Sequence, residues 1–122
     1  MDLKEMMKMQ QEFDSIHGWV WEGGKIEDLL DLINKDLIGL IGEIGEFANL
    51  IKKLNLIAEK ETQEQLDTHF QTLSQCLAEE LIDSFIYLIR IATHLEIDLQ
   101  KNYLQNIEFN RERYRKYEVD KP

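Results

Sequence analysis

The sequence predicts an all-α protein, an antiparallel bundle of four to five helices, on three observations. Apolar residues recur at spacings of three and four along most of the chain, and no stretch alternates apolar with polar as a half-buried strand would. A single Pro stands among 122 residues rich in Leu, Ile, Glu and Lys, all good helix formers apart from Ile. Short apolar faces of this kind are buried by packing helix on helix.

Each element has its own signal. Segment 2–16 places Leu3, Met6, Met7, Gln10, Phe13 and Ile16 at helical spacing, with the methionines as adaptable core filler. His17-Gly18-Trp19-Val20-Trp21-Glu22-Gly23-Gly24 carries three glycines and two tryptophans, and predicts a loop holding large rings. A second helix is expected over 26–57, with Asn34 as a candidate break. The polar stretch 59–68 reads as a loop or a frayed helix start. A third helix is expected over 65–95, and Asp98 is placed to cap a last one reaching about Tyr117. The length suits one domain, residues 1–122.

Charge and cysteine use narrow the function classes. The net charge of −10 argues against a surface that neutralises the phosphates of duplex DNA or RNA. Cys76 is the one cysteine, so the chain has neither an internal disulfide nor a multi-cysteine zinc site. The first residues lack the basic stretch and apolar run of a secretory signal, and the apolar run 37–41 is far shorter than a membrane span. A cytoplasmic protein that uses no membrane is expected.

Two helices carry acids where apolar residues belong. At about 100° per residue, Leu37, Leu40, Ile41, Ile44, Phe47, Leu50 and Leu54 share one broad side of the second helix. Glu43 falls inside it, with Glu46 at its edge. On the third helix Glu80 projects among Leu73, Tyr87 and Ile91, with Asp83 beside it. Each pair is spaced i, i+3, so its two side chains are neighbours. Antiparallel packing would converge four carboxylates, an arrangement that needs a cation, and an all-oxygen set suits Mg²⁺ or Mn²⁺. Gly39, Gly42 and Gly45 recur on the same helix at a cost of about 1 kcal/mol each relative to Ala, which signals either a close helix crossing or a local opening.

Gly42-Glu43-Ile44-Gly45-Glu46-Phe47-Ala48-Asn49-Leu50-Ile51-Lys52-Lys53, then Glu79-Glu80-Leu81-Ile82-Asp83-Ser84-Phe85-Ile86-Tyr87-Leu88, resembles the MazG-like all-α nucleoside triphosphate pyrophosphohydrolases, relatives of the dimeric dUTPases. Glu43 and Glu46 match the last two acids of the family's EExxE motif, Gly42 standing in place of the first. Glu80 and Asp83 match its ExxD. Asn106 to Arg113 resembles its K-xxx-N-xx-R tail, with Asn106 where Lys is usual. The segment around Phe13 and Gly18-Trp19 is similar too. Thirty-three residues, 47–79, separate Glu46 from Glu80, longer than in compact members, and imply an insertion in the connection.

The resemblance implies a Mg²⁺-dependent enzyme, with Mn²⁺ as a substitute, that cleaves an NTP or dNTP between its α and β phosphates to a monophosphate and pyrophosphate. It implies Glu43, Glu46, Glu80 and Asp83 as catalytic metal ligands, with Asn110, Arg113 and, more weakly, Lys53 as substrate contacts. Trp19 and Trp21 are candidate walls for the base, since base–aromatic stacking tolerates different bases. A homodimer or homotetramer is expected, because a small bundle has few walls for a nucleotide. The alternative is a non-catalytic helical module that binds nucleotide or protein. A ferritin-like di-iron site is disfavoured, because no Glu stands three residues before His17, His69 or His94.

Overall fold

The computed structural model describes residues 1–119. Helices α1 (Leu3–Ile16), α2 (Ile26–Lys60), α3 (Gln63–His94) and α4 (Leu99–Arg113) follow in order, and a short 3₁₀ turn covers Arg115–Tyr117. The fold is all-helical, with no strand among the described residues.

α2 and α3 form a long antiparallel hairpin, the dominant contact of the protomer. Asn34 does not interrupt α2, and of the two readings of 59–68 the helix start holds, the turn itself being only Glu61-Thr62. The reason is a capping box. Thr62 Oγ1 accepts from the Gln65 N–H at 3.2 Å while Gln65 Oε1 accepts from the Thr62 N–H at 3.0 Å. Both otherwise orphaned donors are satisfied, so the polar stretch starts a helix at once. The residues expected to form an inserted connection therefore lengthen both arms of the hairpin.

Asp2 caps α1 and Asp98 caps α4, accepting from Glu5 N–H and Lys101 N–H. α1 lies on α3 and touches the start of α4, where Gln100 Oε1 accepts from the Lys4 N–H. Gly18 at φ 74° lets the chain turn after α1 and lead into Trp19.

The core is thin. Leu54, Ile57, Leu77, Ile89 and Ala92 are the buried apolar residues, and Ile38, Ile41, Leu81 and Ile82 are all more than half exposed. The accessible surface is 9760 Å², whereas a monomer of this mass shows about 6,900 Å². Much of the apolar face predicted for α2 is thus uncovered within the protomer. No helix among the described residues is long and apolar enough to cross a membrane.

Candidate metal centre

The hairpin brings three of the four predicted acids together. Glu43, Glu46 and Glu80 each offer a carboxylate oxygen within 4.8 Å of the others. Adjacent oxygens of a Mg²⁺ octahedron stand about 3 Å apart, so the carboxylates would draw closer around an ion. Asp83 stays outside this group, exposed on the outer side of α3 beside Gln75 and Glu79.

The cluster is electrostatically incomplete. Glu80 Oε2 is buried without a hydrogen-bond partner. The Glu80 carboxyl is pushed up to about 7, first by a proton shared with Glu43, then by burial, then by hydrogen bonding and repulsion from Glu46. Three carboxylates at this distance hold together either with a proton or with a cation, and none of the ion pairs formed by Lys or Arg reaches them among the described residues. The hard, all-oxygen donor set and the orphaned oxygen fit Mg²⁺ or Mn²⁺.

The glycine signal divides in two. A Cβ on Gly39 would stand 2.4 Å from the Tyr87 ring, so this glycine marks the helix crossing. Gly42 and Gly45, beside the acids, face open space.

A cavity of about 500 Å³ lies beyond Tyr87, with Trp19, Lys35, Asp36, Arg90 and His94 on its walls. Asp36, Arg90 and His94 are held in two part-buried pairs, and Lys35 is exposed at its rim. Arg90 Nε donates to Asp14 Oδ2 at 3.0 Å, and His94 Nε2 donates to Asp36 Oδ2 at 2.8 Å. The Arg90 guanidinium sits 5.2 Å from the Trp19 ring centroid and 5.4 Å from that of Tyr87. His17 stacks on Trp19 at 4.7 Å. Asp14, Asp36, Arg90 and His94 were not predicted as a group: the pairs join residues 76 and 58 positions apart, which helical periodicity does not report.

The other predicted contacts lie apart from the carboxylates in the protomer. Trp21 packs by Gly24, outside that cavity. Lys53 is exposed on α2. Asn110 donates to Asn106 Oδ1 at 3.0 Å, and Arg113 lies over Tyr114, on a helix that leans on α1. Cys76 is exposed.

Fold and site together define a helical hairpin with an all-oxygen carboxylate cluster at its crossing. The chain is similar to dCTP pyrophosphatase 1 of Rattus norvegicus, with 33% identity over 79 residues, 64% of this chain and 43% of that protein. It is 31% identical to dCTP pyrophosphatase 1 of Mus musculus over 78 residues, with the same shares. The matched region spans less than half the length of these curated relatives. No family model and no solved structure matches the chain.

Proposed function

We propose that this protein is a MazG-like nucleoside triphosphate pyrophosphohydrolase that converts an NTP or dNTP to a monophosphate and pyrophosphate, with dCTP the first substrate to test. The convergence of Glu43, Glu46 and Glu80 around an orphaned carboxylate oxygen carries this reading, and the similarity to dCTP pyrophosphatase 1 supports it.

In this reading Glu43, Glu46 and Glu80 would hold Mg²⁺, with Asp83, one turn along α3, as the fourth ligand of the motif. When bound there, Mg²⁺ would supply a positive field for a triphosphate, stabilisation of pyrophosphate charge and a more acidic water. The protein's own part is positional. Glu43, Glu46 and Glu80 would fix the ion, and through it the reacting phosphate, against the helix crossing. Open space at Gly42 and Gly45 leaves room for phosphates beside α2.

The site is completed by a second copy of the chain. The protomer exposes roughly 2,900 Å² beyond a monomer of its mass, more than the about 800 Å² that each partner gives to a standard interface. A neighbouring α4 would bring Asn110 and Arg113 to the phosphates, which its own α4 does not do.

Incubation with Mg²⁺ and a panel of triphosphates, followed by anion-exchange separation, tests the reading. Monophosphate with pyrophosphate, lost on chelation, is expected. Diphosphate with phosphate would reassign the scissile bond. Metal-dependent stabilisation without turnover would favour the binding module.

A further inference from the structure

At the level of the acids the α2–α3 hairpin has a wet side and a dry side. With about 100° per residue, Glu46 lies about 60° to one side of Glu43, and Leu40, Ile44 and Phe47 lie to the other. Asp83 stands in the same relation to Glu80, with Leu81, Ser84 and Leu88 opposite. In an antiparallel pair these directions coincide, so the apolar residues of both helices share one flank of the seam. A groove of about 330 Å³ opens there, between Leu40, Ile44 and Phe47 of α2 and Leu81, Phe85 and Leu88 of α3. Buried Ser84 forms its floor, and the Ser84 hydroxyl is spent on the Glu80 carbonyl at 2.8 Å.

Covering this groove desolvates no charge. Among the described residues no charged side chain lines it, and Ile44, Leu81 and Leu88 are about half exposed. The stripe runs on along α2 from Ile26 through Leu30, Ile33 and Leu37 to Ile51, at alternating spacings of four and three, the pattern of a coiled-coil seam. The uncovered surface of the protomer exceeds the about 800 Å² that one partner gives to a standard interface. An uncharged stripe of this kind is matched by the same stripe on a second copy, in a two-fold contact.

Groove and acids also occupy the same helical turns. Without an ion, the carboxylates of Glu43, Glu46 and Glu80 repel one another across the seam and oppose close approach of the helices. A copy seated over Leu40, Ile44, Leu81 and Leu88 holds both helices at that level and excludes water from one flank, where the repulsion is then less screened. An ion at the carboxylates removes the repulsion and favours the same closed arrangement. Ser84 joins the two, because pressure on the groove floor bears on the turn that carries Glu80.

We infer that a second copy of this chain docks in the groove floored by Ser84, and that its docking is linked to divalent-ion binding at the carboxylates, each event tightening the other. The inference rests on the metal-dependent reading for its ion and on the groove for its partner. Linkage makes the factor the same in both directions.

Sedimentation equilibrium of the full chain without nucleotide, in chelator and in Mg²⁺ at matched ionic strength, reads the linkage without turnover. The dissociation constant of the assembly should fall by at least about fivefold in Mg²⁺. Glu80→Gln should associate at least as tightly as the parent in chelator and show no response to Mg²⁺, which separates the cluster from general screening of an acidic chain. Ser84→Leu fills the groove from within and should weaken association by at least about tenfold with the helical signal intact. Should that variant unfold, Leu88→Gln, a neutral change at the rim, should weaken association in the same direction; it also brings the constant into range if the parent is too tightly associated to measure. A monomer in both buffers, an assembly indifferent to Mg²⁺, an equal response in Glu80→Gln, or association unchanged in the folded groove variants overturns the inference. Triphosphate cleavage that persists alongside any of those results leaves the functional reading standing. Mg²⁺-linked association without cleavage upholds the inference and sinks the enzymatic reading.

Discussion

Gly39 and Tyr87 meet where α2 crosses α3, the phenol ring filling the space in which a Gly39 Cβ would stand at 2.4 Å. The contact sits between the carboxylate cluster and the cavity that Tyr87 borders. Gly39→Ala gains about 1 kcal/mol of helix propensity but overpacks the crossing at a cost of about 1–3 kcal/mol. A net destabilisation of up to about 2 kcal/mol is expected. Gly45→Ala, facing open space, should instead stabilise the protomer by up to about 1 kcal/mol. Paired urea melts check the opposite signs.

Glu80 makes the stability of the metal-free protein fall as pH rises. Its carboxyl titrates at about 7 in the fold against an ordinary 4.5. Between those values the folded state holds a proton that the unfolded chain has released, so raising the pH pulls the equilibrium toward unfolding. The penalty grows from about 4.5 and is complete above about 7. In chelator, Glu80→Gln should therefore melt above the parent at about pH 8 and converge with it near pH 4.5. A parent that melts lower than the variant at acidic pH but not at alkaline pH would reverse the assignment.

Mg²⁺ should invert that ranking. A ligand at about 100 times its dissociation constant adds about 2.7 kcal/mol to the folded state, so the parent's melting temperature should climb with Mg²⁺ while that of Glu80→Gln moves little. Glu43→Gln and Asp83→Asn should each lower turnover by about 100-fold or more with the helices intact. Thermal scans with and without Mg²⁺, beside product analysis, separate a ligand from a structural carboxylate. Unfolding of the variants would mean the acids are structural.

Much of this was legible in local sequence. Period-3.6 patterning revealed the helices, and Asp98 revealed the start of α4, because both are properties of a few adjacent residues. Acids inside an apolar sector pointed to Glu43 and Glu80 for the same reason. The stretch 59–68 reads from sequence as either a loop or a frayed helix start, because Glu, Lys, Gln and Thr are polar on an exposed helix as well as in a loop; the capping box at Thr62 makes it a helix start. Asp36–His94 and Asp14–Arg90 depended on which residues three helices bring face to face, which one sequence does not encode locally.

The uncovered hairpin face makes a separate prediction. Leu88 is 46% exposed and borders an apolar groove with Leu40, Ile44 and Phe47. A charge there is tolerated by a protomer in water and rejected by a dry interface. Leu88→Glu should shift sedimentation velocity from an oligomer to a monomer while the helical signal persists. A parent that already sediments as a monomer would sink the proposed second copy.

Arg90 is expected to brace Trp19 through Asp14. The Asp14 carboxylate is 5% exposed and accepts from both Gln10 Nε2 and Arg90 Nε, while the Asp14 carbonyl accepts from the Trp19 N–H at 2.9 Å. Removing Arg90 leaves a buried carboxylate with one neutral donor, a change that costs on the order of 3 kcal/mol. The guanidinium also leaves the Trp19 face. Arg90→Ala should therefore lower stability by that amount and alter Trp19 emission in a Trp21→Phe background. Arg90→Lys should recover part of the stability through its charge but not the planar contact with the ring. Unchanged emission in Arg90→Ala, with stability lost, would reduce the pair to a clamp between α1 and α3 with no bearing on the ring.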